Sequence, residues 1–222
     1  VNLVLNGMLV TYGALHAIGA DGALAAIGVV IKLGMFTLFP CIGVAMAAQP
    51  LLGFNYGARN FARVRATFLV AVAWATSLMV FFWLLVHLFP QALIGLFGVE
   101  AELMGFAVRA LGIYLFALPV IGFQIIGSHY FQATGQPLKS IALTLSRQVI
   151  FLIPLLLVLP RVLPALFESV SGLLAICYAM PLSDLFATLT MAFVVVPELG
   201  RLRRPASGGG GPDPARLEST TA

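Results

Sequence analysis

The sequence predicts an all-α integral membrane protein with six transmembrane helices. Of its 222 residues, 61% are hydrophobic and only 9% are charged, and the mean hydropathy is +1.05. A soluble domain carries about 25% charged residues, so this chain lacks the polar side chains to cover itself in water. Its apolar residues also fall into six runs, most of them near the roughly 20 residues that a helix needs to cross a bilayer. The lipid bilayer is therefore its expected solvent.

The six runs define the spans in chain order. The chain starts at Val1 inside an apolar run, without an initiator Met or a basic segment, so we expect a truncated first helix and a native N-terminus upstream. The second span is predicted to end at Gln49-Pro50 and the third at Phe89-Pro90, and an interfacial piece at 91–106 precedes the fourth. The predicted spans are residues 2–17, 23–48, 67–89, 107–131, 141–160 and 169–196.

Four spans contain an interior proline, which removes a backbone donor and kinks a helix. Such kinks shape pathways in transporters, but proline is also generally enriched in membrane helices. Both interpretations stay open. The four are Pro40, Pro119, Pro154 and Pro181.

The distribution of Lys and Arg predicts the orientation, because cytoplasmic loops carry the excess of basic residues. One set of loops holds eight: Arg59, Arg63, Arg65, Lys139, Arg147, Arg201, Arg203 and Arg204. The opposite set holds two, Arg109 and Arg161. We therefore expect loops 49–66 and 132–148 in the cytoplasm, together with the C-terminal tail. The membrane domain is predicted over 1–198, and the Gly/Pro/Ser-rich segment 199–222 is predicted to be a disordered cytoplasmic tail.

One acidic residue, Asp184, lies deep within a predicted span. A charge at such depth costs at least about 2.5–3.5 kcal/mol and usually has a partner or a function. Lys32 and Arg147 are the basic residues at nearest depth. We predict either an ion-coupling carboxylate or a structural ion pair with one of these two residues, and we favour the pair.

Other polar groups within the spans are less specific. His129 is either a proton relay or, more often in such positions, a hydrogen-bonded group between helices. The amides of Asn6, Gln49 and Gln124 either join helices or line a water-filled cavity. Met35 and several phenylalanines, Phe39 and Phe116 among them, could contact a cation or an aromatic compound but could equally pack against helices or lipid.

The sequence does not indicate an enzyme, a metal site or a nucleic-acid interface. It contains no Walker loop, HExxH or GxSxG motif. Ser128 and His129 are neighbours on a helix and point about 100° apart, so they cannot pair as nucleophile and base. Cys41 and Cys177 lie in different predicted spans without metal-ligand spacing. The basic residues lie between apolar runs and not along one face, which argues against nucleic acid.

Three blocks resemble the second half of a multidrug and toxic compound extrusion (MATE) transporter, closest to the DinF/MepA-like branch. The first is GADGALAAIGVVIKLGMFTLFPCIGVAMAAQPLLGFNYGARN, with its Gln-Pro-x-x-Gly-x-Asn-Tyr-Gly-Ala-x-Asn close. The second is GFQIIGSHYFQATGQPLKSIALTLSRQVIFLIPLLLVLP, and the third is AMPLSDLFATL. With the segments between them they cover nearly all of residues 1–198, in the family's order.

The resemblance implies one lobe of a twelve-helix, two-lobe transporter, with helices seven to twelve in this chain and an N-terminal lobe missing from it. Such transporters are driven by a proton or sodium gradient and need no cofactor. The acidic residues of the sodium-dependent branch have no counterpart in the first and fourth spans here, so proton coupling through the missing lobe is expected. The residues that would face the cavity are Asn6, Met35, Phe39, Gln49, Phe116 and Gln124, and the hinge or gate would lie at Gly53, Asn55 and Gly57.

The leading prediction is a secondary active exporter of cationic or amphipathic compounds in the plasma membrane, of the bacterial inner membrane type. One alternative is a lipid-linked precursor or polysaccharide flippase of the same superfamily, which calls for a more cationic cavity. Another is a non-functional fragment or an assembly subunit, because half a transporter encloses no cavity between lobes.

Overall fold

The computed structural model describes residues 2–16, 18–167 and 171–202, and within these ranges every regular element is helical. A π-helical segment, Ser146–Leu152, joins α7 to α8, so that 137–166 form one continuous helix. The α-helices are α1 (Asn2–Gly13), α2 (Gly19–Gly57), α3 (Phe61–Leu88), α4 (Pro90–Gly95), α5 (Ala101–Tyr114), α6 (Leu118–Ala133), α7 (Pro137–Leu145), α8 (Ile153–Leu166) and α9 (Gly172–Arg201).

These helices form six apolar segments in the predicted order. Four are long and apolar enough to cross a membrane, namely α2, α3, the continuous helix 137–166 and α9. The pair α5 and α6 would be a fifth span, bent by 48° at its break, and α1 is a shorter apolar helix. The prediction of an all-α membrane protein is confirmed, and the segment count agrees with six helices.

The joint predicted at 49–66 is shorter than expected, and its prediction as a loop is wrong over most of its length. Helix α2 continues through Pro50 to Gly57, and α3 begins at Phe61. A proline costs a helix one hydrogen bond, and a membrane helix tolerates that loss when neighbouring turns are intact. At 39 residues and 1.5 Å per residue, α2 is about 58 Å long, well beyond the roughly 30 Å hydrocarbon core.

The fourth span is also different from its prediction. It begins at Ala101 within the piece predicted to be interfacial, and it is broken between Tyr114 and Leu118. Pro119 stands in the first turn of α6, where its missing N–H costs no helical hydrogen bond. This proline therefore marks a real bend, whereas Pro40 and Pro181 lie inside unbroken helices.

Two tight turns close one end of the bundle with the same hydrogen-bond pattern. After α2, the N–H of Asn60 donates to Asn55 O and that of Arg59 to Tyr56 O; after α6, Gln136 N–H donates to Phe131 O. These are Schellman motifs, whose penultimate residue adopts a left-handed conformation. That residue is Gly135 after α6 (φ 75°), but it is Arg59 after α2 (φ 55°), a conformation that costs a non-glycine residue about 1–2 kcal/mol.

Basic residues gather at this end, which we call the basic end: Arg59, Arg63, Arg65, Lys139 and Arg201. Side chains tie the α6–α7 turn to the end of α9, since Gln136 Nε2 donates to Glu198 at 2.9 Å and Lys139 Nζ lies 3.2 Å from the same carboxylate. Arg147 is not a loop residue as predicted, because it lies ten residues into the helix that starts at Pro137. Helix α9 ends at Arg201, slightly beyond the predicted domain boundary at 198, while residues 203–222 of the predicted tail lie outside the described ranges.

Small residues mediate much of the helix packing. The buried face of α2 contains Ala23, Ala26, Gly34, Ala45 and Ala48. Between membrane helices the hydrophobic effect contributes little, so close approach of backbones and dispersion contacts stabilise the assembly. Large apolar side chains instead project outward, for example Trp74, Phe81 and Phe193, as suits a surface in contact with lipid or a second apolar body.

Candidate functional site

Two adjoining cavities lie inside the bundle, on the side away from α3. The first, of about 330 Å³, is bounded by α2, α6, the π-helical segment with the end of α7, and α9. The second, of about 210 Å³, is bounded by α1, α2, α5, α6 and α9. Both are lined by Leu38, Ile121 and Arg147. Arg147 therefore stands where the two cavities meet.

An ion pair links the π-helical segment to α9 at this junction. Nε of Arg147 lies 2.6 Å from Oδ1 of Asp184, and the side chain of Asp184 is only 4% exposed while that of Arg147 is 33% exposed. The contact is close but not aligned as a hydrogen bond. Pairing avoids most of the cost of an isolated carboxylate in a nonpolar interior, and the greater exposure of Arg147 leaves part of its guanidinium facing the cavities.

Gln124 joins α6 to α9 beside this pair. Its Nε2 donates to the backbone oxygen of Asp184 at 2.8 Å and to Thr188 Oγ1 at 2.6 Å. The hydroxyl of Thr188 also donates to the Asp184 backbone oxygen. The amide thus serves both roles that the sequence left open, because it bridges two helices and also lines the first cavity.

Further polar contacts continue from the first cavity towards the basic end. His129 Nδ1 lies 3.1 Å from Gln49 Oε1, and the hydroxyls of Ser128 and Ser140 are 2.6 Å apart. Gln132 Nε2 donates to the same Ser140 oxygen at 3.1 Å. His129 is therefore placed as a hydrogen-bonded group between α6 and α2.

The six predicted substrate-binding residues do not form one surface. Met35 lines the second cavity and Gln124 the first, and Gln49 contacts His129 at the cavity's edge. Asn6, Phe39 and Phe116 are exposed on the outside of the bundle, and Phe116 lies in the break between α5 and α6. Their assignment to a binding cavity remains a prediction that needs a second surface opposite them.

The remaining candidates have distinct environments. Lys32 is exposed and forms no salt bridge with any residue of the described ranges. The proposed hinge residues all lie in the last turns of α2: Asn55 is buried and donates to Leu51 O at 2.7 Å, and Gly57 ends the helix. Gly53 allows close approach, since a Cβ there would lie 3.3 Å from Ala133 O.

Two cavity residues were not singled out in the sequence, Thr144 and Tyr114. A periodic signal existed for the first, because Thr144 and Arg147 are three residues apart, just as Gln124 and Ser128, and Asp184 and Thr188, are four apart. Polar residues at such spacings share one helix face. Three polar faces on three helices predict that those faces meet.

Comparison with known proteins agrees with this architecture. The MatE family model matches residues 2–158. A multidrug resistance MATE family transporter of the MOP superfamily, solved in its inward-facing conformation, superposes with a TM-score of 0.77 at 20% identity, over 92% of this chain and 44% of that chain. A MOP superfamily transporter from Pyrococcus furiosus gives 0.78 at 19% identity, over 92% and 43%. No curated protein sequence matches the chain.

The MATE multidrug transporter DinF-BH, solved as a complex with a small molecule, is 31% identical and superposes with a TM-score of 0.70, over 85% of this chain and 40% of that chain. The chain spans about 40–44% of the length of these transporters, which is consistent with one half of a two-lobe protein. A family-model match over most of the chain, together with these folds, identifies the protein class as a transporter and not an enzyme. The chain belongs to the MATE (MatE) family of multidrug and toxic compound extrusion transporters.

Proposed function

We propose that this chain is one lobe of a secondary active exporter of amphipathic and cationic compounds, driven by a proton or sodium gradient through alternating access. The observation that carries the proposal is the MatE match over residues 2–158, joined to a fold shared with multidrug transporters of about twice this length. The other lobe would complete the central cavity. Exposed apolar residues such as Phe39 and Phe116 would then face it.

The chemistry of such a site is binding and not bond making. An apolar wall with a few placed polar groups suits chemically varied amphipathic compounds, and Met35 adapts to different shapes because its thioether side chain is flexible. Alternating access requires two conformations with different exposure of the site. The Asp184–Arg147 pair would serve either as a fixed brace or as a charge pair that changes with ion binding, and transport measurements on variants distinguish these roles.

Orientation and location belong to the same proposal. The concentration of Arg and Lys at the basic end supports a cytoplasmic position for that end, in a plasma membrane such as the bacterial inner membrane. The turns after α2 and α6 and the C-terminal tail would then lie in the cytoplasm.

The test is ethidium efflux from cells that express the chain in its natural coding context, since a partner lobe encoded beside it is then present. We expect efflux above that of cells without the chain, and collapse of efflux when one gradient is dissipated. Loss with a proton ionophore identifies proton drive, and loss with a sodium ionophore identifies sodium drive. Efflux unaffected by both, or absent for several cationic dyes, would contradict the proposal.

The cavity assignment has its own test. Gln124→Ala and Met35→Ala should lower efflux of several compounds, with Leu96→Ala as a matched control because Leu96 is exposed in the connection after α4. Unchanged efflux in both cavity variants would remove these residues from the site while leaving the export proposal intact.

A further inference from the structure

The guanidinium of Arg147 is incompletely used by its partner. An arginine carries five N–H donors in a planar fork, yet only Nε contacts Asp184. Within the described ranges no residue accepts a hydrogen bond from either Nη atom. The side chain is 33% exposed, and it lines both cavities. Free donors of a permanent cation therefore point into an enclosed, mostly apolar space.

The groups around this fork suit an anion better than a metal cation. Hard cations need several oxygen ligands, and the described residues contain no group of three or more His, Cys, Asp or Glu side chains. Arg147 itself would repel a cation beside Asp184. A carboxylate, in contrast, matches the planar fork of a guanidinium and can accept two parallel hydrogen bonds from it.

The walls of the cavities limit what else the ligand can contain. Leu38, Ile42 and Ile125 line the first cavity, and Gln124, Ser128 and Thr144 add a few polar atoms. The volume of about 330 Å³ lies at the lower end of the range for small-molecule sites. A multiply charged phosphate would leave charges unpaired next to Asp184, at a large cost in such surroundings.

We propose that the junction of the two cavities binds the carboxylate of a small amphipathic monoanion on Arg147, with the apolar part of the ligand against Leu38, Ile42 and Ile125. Asp184 competes with that carboxylate for the guanidinium. The occupied and empty states therefore differ in whether Asp184 keeps its partner. This inference rests on the cavity and not on the export proposal, because equilibrium binding tests it whether or not the chain transports anything.

The experiment uses the chain in lipid nanodiscs, purified with any partner chain that accompanies it, and isothermal titration against empty nanodiscs. The probes are 2-naphthoate and 2-naphthylmethylammonium, which share one ring system and differ in charge. We expect saturable binding of 2-naphthoate and at least about tenfold weaker binding of the cation, since a hydrogen bond to a charged group contributes about 1.5–3 kcal/mol. Preference for the cation, or no saturable binding of the anion, would overturn the proposal.

Variants separate the two charges. Asp184→Asn removes the competitor and should tighten 2-naphthoate binding, whereas an acidic cation site would lose its ligand through the same change. Arg147→Lys keeps the charge but not the fork and should weaken binding. Lys139→Gln, which removes a positive charge at the basic end, is the matched control and should leave binding unchanged.

Removal of Arg147 alone would leave a buried carboxylate without its partner, so the decisive variant is Arg147→Gln with Asp184→Asn. The two amides keep a polar contact between the π-helical segment and α9 without either charge. We expect this double variant to lose at least about tenfold in affinity for 2-naphthoate while remaining folded by thermal unfolding. Wild-type affinity in a folded double variant would refute the assignment of Arg147.

Discussion

The two sides of α6 differ in how they meet their neighbours. One side carries Gly122, whose missing side chain brings it against α3: a Cβ there would lie 3.0 Å from the carbonyl carbon of Ala75. Further along, the ring of Tyr130 stands edge-on to Phe68 with centroids 5.4 Å apart. The other side carries Gln124 and Ser128 and borders the first cavity.

The comparison teaches that this helix separates rigidity from available space. The α3 side is closed by backbone contact and aromatic packing, which leave no room for rearrangement. The α9 side is held by a charge pair and a small number of hydrogen bonds around empty volume. A movement within the lobe is therefore expected on the side of α7–α9, with α3 and α6 remaining together.

The largest effect should come from breaking the charge pair on one side only. Arg147→Leu leaves the carboxylate of Asp184 buried without a counter-charge, a change that costs about 3–5 kcal/mol in folding free energy. Thermal unfolding in detergent measures it directly. The buried thiols of Cys41 and Cys177 provide the signal, because they react with a thiol-specific dye only after unfolding.

The control for this variant removes both charges. Arg147→Leu with Asp184→Leu should recover most of the lost stability, since an apolar pair of similar volume often replaces a buried ion pair without cost. If the double variant were as unstable as the single one, the loss would come from packing at the π-helical segment and not from the unpaired charge.

A smaller effect is expected on the closed side of α6. Gly122→Ala places a methyl group against the backbone of Ala75 and Thr76, and such overpacking typically costs about 1–3 kcal/mol. Gly28→Ala in α2 is the matched control, because nothing lies within 4 Å of its Cβ position and alanine favours a helix over glycine by about 1 kcal/mol. The two variants should shift the unfolding temperature in opposite directions, and equal shifts would contradict the close approach of α3 and α6.

The smallest effect concerns the basic end. Lys139→Gln removes a salt bridge to Glu198 in which the lysine side chain is 47% exposed. Exposed pairs contribute about 0–1 kcal/mol, and Gln136 still donates to the same carboxylate. We expect a shift near the limit of detection that disappears in high salt, and a loss comparable to that of Gly122→Ala would show that this pair is more than a surface contact.

Much of the fold was predictable because hydropathy and length determine where a chain can cross a bilayer. The six apolar runs reappear as helical segments, and Pro119 coincides with a real bend. The end of α2 was mispredicted, because Gln49-Pro50 looks like a stop in isolation. The helix ends only where the Schellman motif at Arg59 satisfies the last carbonyl groups, and no local residue preference announces an arginine in that conformation.

The site was less accessible to sequence reasoning. Depth along the helices restricted the neighbours of Asp184 to two basic residues, but depth carries no information on helix rotation. The choice between Arg147 and Lys32 depends on which face α2 turns outward and on the π-helical segment that presents Arg147. Both follow from packing between distant parts of the chain.

The π-helical segment at 146–152 also determines how the chain can change in length. Its turns hold more residues than α-helical turns, so α8 follows α7 with a shifted angular phase. Deletion of one residue at 148–152 would restore an ordinary helix and turn every later side chain by about 100°. The face that α8 presents to α9 would rotate into lipid while α7 kept its place. An insertion or a deletion in this helix is therefore tolerable only in whole turns, and a single extra residue there has become part of the architecture.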